Sequence, residues 1–213
     1  RVSPAQRQFG PRPPLTADDA CRLAADAQAR AAILVEGWSD QAAALTLAQR
    51  RARDLRAEGI VVVPIGGVTN LGHFIDALGA RGLGVALAGL YDAGEERHVL
   101  RSLERCGLGA VLTREAAQSL GFFVCEADLE DELIRALGTA AVERVIEAEG
   151  ELASFRRFQA QPFQQAQDHH AQLRRFMGTR AGRKVRYGTL LVAALAEDQV
   201  PRPLDLVLAH VRR

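Results

Sequence analysis

The sequence predicts an α/β protein: a parallel sheet flanked by helices, followed by a C-terminal helical extension. Short apolar runs, AAILVEG, IVVVPIGG and GVALAGLYD, alternate with helical segments between residues 31 and 126, as strand–helix–strand units require. The runs are apolar almost throughout rather than at every second position, which marks strands covered on both faces. After about Leu129 the strand signals stop and only helical periodicity continues.

Taken in order, residues 1–15 (RVSPAQRQFGPRPPL) hold four of the eight prolines and read as a flexible arm. Thr16 is a helix N-cap for TADDACRLAADAQAR, with acids in the first turn. AAILVEG reads as a buried strand and SDQAAALTLAQRRARDLRAEG as a capped helix. IVVVPIGG and NLGHFIDALGARG repeat the unit, as do GVALAGLYD and GEERHVLRSLERCG, with AVLT and FFVC as short later strands. LEDELIRALG, AAVERVIEAEGELASFRRFQ, PFQQAQDHHAQLRRFMG and AGRKVRYGTLLVAALAED are helical in pattern, ending in PRPLDLVLAHVRR. The expected division is an arm over 1–15, an α/β core with its leading helix over 16–126, and a helical extension over 127–213 that completes the site.

Composition narrows the class. The chain has 213 residues, 48% hydrophobic and 25% charged, the profile of a folded soluble protein. No apolar run approaches the roughly 18–20 residues of a membrane span, so no membrane association is expected. Cys21, Cys106 and Cys125 are odd in number and form no CxxC pair, which argues against disulfides or zinc and for a cytoplasmic setting. A net charge of +1 argues against holding nucleic acid by bulk charge alone. That neutrality hides a split: residues 91–150 carry 13 acids against 6 arginines, whereas residues 151–190 carry 7 arginines and Lys184 against Glu151 and Asp168. Such a chain can hold metal ions with one part and a polyanion with the other. Lys184 is the sole lysine among 27 basic residues.

The acids fall where a site would be. Ligands of a parallel α/β sheet bind beyond the carboxyl ends of its strands. Glu36 ends the first strand, Asp92 ends the third, and Asp40 can turn back to the same rim from the following helix. Carboxylates crowded there repel unless a cation sits between them, and Mg²⁺ takes one or two carboxylates plus waters and substrate phosphates.

VEGWSD, VVPIGG and GLYDAGEE on successive strand ends resemble the TOPRIM domain, the metal-binding module of bacterial primases, topoisomerases and certain nucleases. Within that group the sequence is most similar to the TOPRIM part of OLD (overcoming lysogenization defect) family nucleases. Glu36 followed four residues on by Asp40, the D-L-E stretch Asp128-Leu129-Glu130, and Lys184 in AGRKVRYGTLL carry the likeness, over about residues 31–200. Two departures stand out. The family's DxD reads Asp92-Ala93-Gly94, leaving Glu95 or Glu96 as substitutes for the second acid; and no GxxxxGK[ST] is present, so the likeness is to a stand-alone TOPRIM protein or a piece of a larger one.

The resemblance implies a Mg²⁺- or Mn²⁺-dependent endonuclease hydrolysing DNA phosphodiester bonds with two ions. Glu36, Asp40, Asp92, Asp128 and Glu130 would be the metal ligands, and Glu36, Asp92 and Lys184 the catalytic set, with Lys184 neutralising charge at the reacting phosphate. Asp131 and Glu132 leave the register of the DLEDE stretch open. Arg183, Arg186, Arg174 and Arg175 are the expected DNA contacts, with Arg156 and Arg157 further along. Nucleotidyl transfer of the primase type and a non-catalytic nucleic-acid-binding module are the alternatives; an ATPase partner in trans and a homodimer stay open.

Other residues read blandly. His169 and His170 point about 100° apart on a helix and make an unpromising shared ligand pair. His73 and His98 read as surface residues, and Cys125 as buried and inert. Gly66-Gly67 is either a plain tight turn or an approach for phosphate, and Trp38 either stacks on a base or packs on a neighbouring helix.

Overall fold

The structure, a computed structural model, describes residues 13–110, 113–180 and 182–212. Strands β1 (Ala31–Val35), β2 (Ile60–Pro64), β3 (Ala86–Asp92) and β4 (Phe122–Cys125) form one sheet in the order β2-β1-β3-β4, with every pairing parallel. All five residues of β1 and of β2 are buried, as expected where helices cover both faces. Most of the arm expected over 1–15 lies outside the described residues, as do Val111 and Leu112 of the AVLT segment.

The leading helix α1 (Ala17–Asp26) is closed by a capping box in which Thr16 and Asp19 exchange hydrogen bonds. The helices α2 (Trp38–Arg50), α3 (Leu71–Leu78) and α4 (Glu96–Arg105) follow the first three strands. A short helix, α5 (Arg114–Ser119), precedes β4 and has no counterpart in the sequence reading. The extension comprises α6 (Leu129–Leu137), α7 (Thr139–Ala148), α8 (Leu152–Gln159), α9 (Pro162–Gln165), α10 (His169–Met177), α11 (Arg183–Ala194) and α12 (Arg202–His210). Two segments expected as single helices are divided. Gly150, at φ +70°, ends α7 before α8, and Asp168 restarts the chain as the N-cap of α10.

The two sheet faces have different partners. Ala32, Leu34, Val61 and Val63 pack with the side chains of α1, α3 and α4. Ile33, Val35, Val62 and Leu90 share a core with α2 and with Leu133, Phe155, Phe176, Tyr187 and Leu204 of the extension. The extension therefore builds one face of the sheet. Its tightest seam is α11 on α2: a Cβ on Gly188 would lie 2.8 Å from the Ser39 carbonyl oxygen, too close for any other residue. At the far end of that seam Arg50 donates to the Val192 and Leu195 carbonyls at 2.7 Å each, satisfying groups that a helix C-terminus leaves bare.

Candidate functional site

Parallel pairing sets the rim. Beyond β1 and β2, Ile65 N donates to Val35 O and Gly66 N to Glu36 O, carrying the ladder past the strands and laying the Gly66-Gly67 turn beside Glu36. Asp92 closes the neighbouring strand β3. Asp40, in the first turn of α2, accepts from Gly37 N at 2.8 Å; that bond satisfies an orphan amide and turns the carboxylate back towards the rim. The extension supplies the opposite wall. Asp128 is the N-cap of α6, Glu130 lies in its first turn, and Lys184 lies in the first turn of α11. Glu36, Asp40, Asp92, Asp128, Glu130 and Lys184 thus line one cleft of about 310 Å³.

The electrostatics of the cleft are unbalanced. Burial, then the neighbouring Glu36, Asp40, Asp128 and Glu95, push the Asp92 carboxyl up to about 8. Burial and Glu130 push Asp40 up to about 7, against the Gly37 amide and Lys184. Burial disfavours the Lys184 ammonium, yet Glu130, Asp128 and Asp40 hold it above the usual lysine value. Its Nζ lies 3.0 Å from Glu130 Oε2, and Glu130 is 3% exposed. The upward shifts of Asp40 and Asp92 mark a crowding of five acids that Lys184, and Arg174 on Asp128, do not fully offset and that a cation would relieve. Among the described residues no three His, Cys, Asp or Glu side chains are disposed as a complete cage for an ion. The donor set fits instead an ion held by one or two carboxylates together with water and substrate oxygens.

The DLEDE register is defined by the start of α6. Asp128 Oδ1 accepts from Asp131 N at 2.8 Å as the helix cap, and Glu130 turns into the cleft. Asp131 bonds His170 and Arg135, while Glu132 accepts from Glu126 N, so neither lines the cleft. After Asp92, Glu96 is committed to Arg114 at 2.7 Å. Glu95 borders an apolar pocket shared with Glu36, and its carboxyl is raised by burial and by Glu36. It does not line the cleft itself, but it is close enough to raise Asp92 as well.

The four arginines expected on nucleic acid have different surroundings. Arg175 is exposed, its guanidinium 4.4 Å from the Phe163 ring. Arg174 is exposed but bonds Asp128 Oδ2 at 2.7 Å. Arg186 is paired with Glu149. Arg183 differs from the other three: it is 5% exposed and bound to Glu151, so little of its guanidinium is open to a polyanion. Arg156 is likewise held by Glu143.

A second cleft, of about 570 Å³, shares Asp128 and Lys184 with the first and adds Gln167, Arg174, Arg175 and Thr179. Thr179 also borders a further groove with Arg157 and Arg180. Gln167, Thr179 and Arg180 gave no individual sequence signal; only the basic run RRFMGTRAGRKVR around Thr179 and Arg180 gave any. His169 and His170 bond Glu143 and Asp131 separately, His73 and His98 are exposed, and Cys125 is 1% exposed.

Comparison with known proteins agrees with this layout. Residues 29–93 match the family model described as the overcoming lysogenization defect protein-like TOPRIM domain. No curated protein matches the chain. The C-terminal region of the Xanthomonas campestris pv. campestris OLD protein is similar over 87% of this chain and 93% of its own, with a TM-score of 0.68 and 26% identity. The C-terminal region of the Burkholderia pseudomallei OLD protein has the same fold, with a TM-score of 0.66 over 86% of this chain and 97% of its own, at 23% identity. Residues 29–93, which carry the strand-end acids Glu36 and Asp92, thus resemble an OLD-like TOPRIM domain, and the parallel sheet with its helical wall has the fold of the OLD C-terminal regions.

Proposed function

We propose that this chain is a divalent-metal-dependent endonuclease that hydrolyses DNA phosphodiester bonds. The observation that carries the reading is the convergence of Glu36, Asp40, Asp92, Asp128 and Glu130 with Lys184 on one open cleft at the carboxyl edge of the sheet. An OLD-like TOPRIM domain points to nuclease-type chemistry, and the surplus carboxylate charge supports Mg²⁺ or Mn²⁺ as cofactor.

Glu36 and Asp92, on adjacent strands, would be the central ligands, with Asp40 on one side and Asp128 and Glu130 on the other. Divalent ions held there would supply polarisation of the phosphoryl group, hydroxide near neutral pH and, if two are held, stabilisation of the leaving oxygen. The protein's own residues do the rest. Lys184 is a compact ammonium at the mouth shared by both clefts, placed to offset charge developing on a non-bridging or leaving oxygen. Arg175, with Arg157 and Arg180 beyond it, would steer the phosphate backbone towards the carboxylates. No base-reading helix or finger motif is recognisable among the described residues, so cleavage without sequence selectivity is the expectation.

Plasmid DNA incubated with the protein and Mg²⁺ or Mn²⁺ is expected to be nicked or degraded, with loss in EDTA and in Glu36→Ala and Asp92→Ala. Gly94, in place of the second acid, favours one other reading, a nucleic-acid-binding module without turnover. DNA binding indifferent to EDTA, with no cleavage in either metal, would establish that reading instead.

A further inference from the structure

Helix α11 starts badly by its own means. Its N-cap is Gly182, in the left-handed region at φ +77°, and no side chain caps its first amides. Its first turn carries Arg183, Lys184 and Arg186, positive charges at the end of the helix where the backbone dipole is already positive. Such a turn frays unless something outside the helix holds it. Lys184 sits in that turn.

Arg183 supplies the hold. Its Nη2 donates to Glu151 Oε1 at 2.8 Å, and its Nη1 donates to Thr179 Oγ1 at 2.6 Å and to the Phe176 carbonyl at 3.1 Å. The guanidinium lies 4.0 Å from the centre of the Phe176 ring. The other oxygen of Glu151 accepts from the Tyr187 hydroxyl at 3.0 Å, one turn further along α11, and Tyr187 is fully buried. One carboxylate from the start of α8 and the C-terminal end of α10 therefore grip α11 at two successive turns. Adjacent helical residues point about 100° apart, so a buried Arg183 leaves Lys184 facing the carboxylate cleft.

We propose that Arg183, with Glu151 and Tyr187, is the positioning element of Lys184 rather than a contact to nucleic acid. The inference rests on the reading of Lys184 as the cationic residue of the cleft, and it goes beyond it by assigning what keeps that cation in place. A planar guanidinium is needed because the three acceptors and the ring face must be met at once; an ammonium cannot match that set.

The sequence makes the test direct. With a single lysine, protein labelled with ¹³C-lysine gives one ε-methylene signal in NMR, which reports the surroundings of Lys184 whatever the enzyme does. The variants are Arg183→Met, which keeps the apolar stem on Phe176, and Arg183→Met/Glu151→Gln, which also removes the carboxylate charge that Arg183 had balanced while keeping an acceptor for Tyr187, the fold being checked by circular dichroism. In both, the ε-methylene signal is expected to move to the position of an unconstrained lysine. Turnover is expected to fall about 10–100-fold with KM for DNA unchanged, the cost of misplacing a reacting group. In a Lys184→Ala background the same changes are expected to cost nothing more. An unmoved lysine signal in the folded double variant would overturn the proposal. So would a raised KM at unchanged kcat, which would make Arg183 a phosphate contact. If the unaltered protein cleaves no DNA in either metal, the nuclease reading falls alone and the lysine signal still decides what Arg183 does.

Discussion

Lys184 Nζ lies 3.0 Å from Glu130 Oε2, and the two ends of that bridge are unequal: the Lys184 side chain is 48% exposed while that of Glu130 is 3% exposed. Removing the lysine strands a buried carboxylate, so Lys184→Ala is expected to cost about 1–3 kcal/mol of stability, the desolvation penalty of an unpaired group. Lys184→Ala/Glu130→Gln is expected to recover most of it, because the neutral amide no longer needs the ammonium. Cleavage is expected to stay lost in both. Equal stability of the two variants in urea unfolding would show that the bridge has no structural weight.

In the metal-free protein, burial and four neighbouring acids push Asp92 up to about 8, against an ordinary aspartate value of about 3.9. The folded state then keeps a proton that the unfolded chain gives up. The stability linked to this group is fully present below about pH 4 and is lost as the pH rises through 8. Asp92→Asn cannot ionise, so in EDTA its advantage over the unaltered protein is expected to grow across that window and level off above it. Added Mg²⁺ is expected to raise the melting temperature of the unaltered protein, by the equivalent of about 2.7 kcal/mol at a hundred times Kd, and to leave Asp92→Asn nearly unmoved. Parallel stability profiles for the two proteins in EDTA would contradict the assigned crowding.

The truncated acidic motif is open to repair. A Cβ built on Gly94 meets no atom within 4 Å, so there is open space at the point where Gly94→Asp would attach its carboxylate. Its expected effects have opposite signs with and without metal: a lower melting temperature in EDTA, where a further negative charge joins the cluster, and tighter Mn²⁺ binding with faster cleavage when the ion is present. Lower stability under both conditions would show that the added acid does not face the ions.

The rim was legible in the sequence because it depends on local pattern. An apolar run that ends in an acid places Glu36 and Asp92 at strand ends, and an acid three residues into a helix places Asp40 on its cap. Arg183 was not legible. Its burial depends on Glu151, 32 residues away, and on Phe176, and nothing local separates it from the exposed arginines around it. The same limit hid the division of labour in DLEDE, because the cap bond from Asp131 N to Asp128 and the pull of His170 on Asp131 decide which acids face the cleft. Gly150 was a visible break, and reading through it merged α7 with α8.

The seam between α11 and α2 carries its own prediction. Gly188→Ala drives a methyl to 2.8 Å from the backbone oxygen of Ser39, an atom that cannot rotate away. Overpacking of this kind costs about 1–3 kcal/mol. Because Asp40 lies next to Ser39 and Lys184 lies one turn before Gly188, the separation forced on the helices also parts the cation from the acids. Gly188→Ala is therefore expected to lose cleavage out of proportion to its stability, whereas Leu195→Ala, at the far end of the same helix, is expected to lose stability with far less effect on cleavage. Matching losses of activity at matched stability would show that the seam does not set the distance between Lys184 and the acids.

The second cleft makes a claim about salt. A side chain that neutralises one phosphate releases about 0.7–0.9 of a counterion, read as the slope of log K against log salt. Arg175→Ala and Arg157→Ala are each expected to flatten that slope by about this amount and to weaken binding alike for all sequences. Arg174 should behave differently. Its guanidinium already holds Asp128, so Arg174→Ala frees a carboxylate at the edge of the acidic cleft, and any lost phosphate contact comes with a change in metal affinity. Arg183→Met is expected to leave the slope untouched, because a buried guanidinium has no counterion to exchange. Filter binding or anisotropy across a salt series separates the three cases, and a flattened slope for Arg183→Met would return that residue to the nucleic-acid surface.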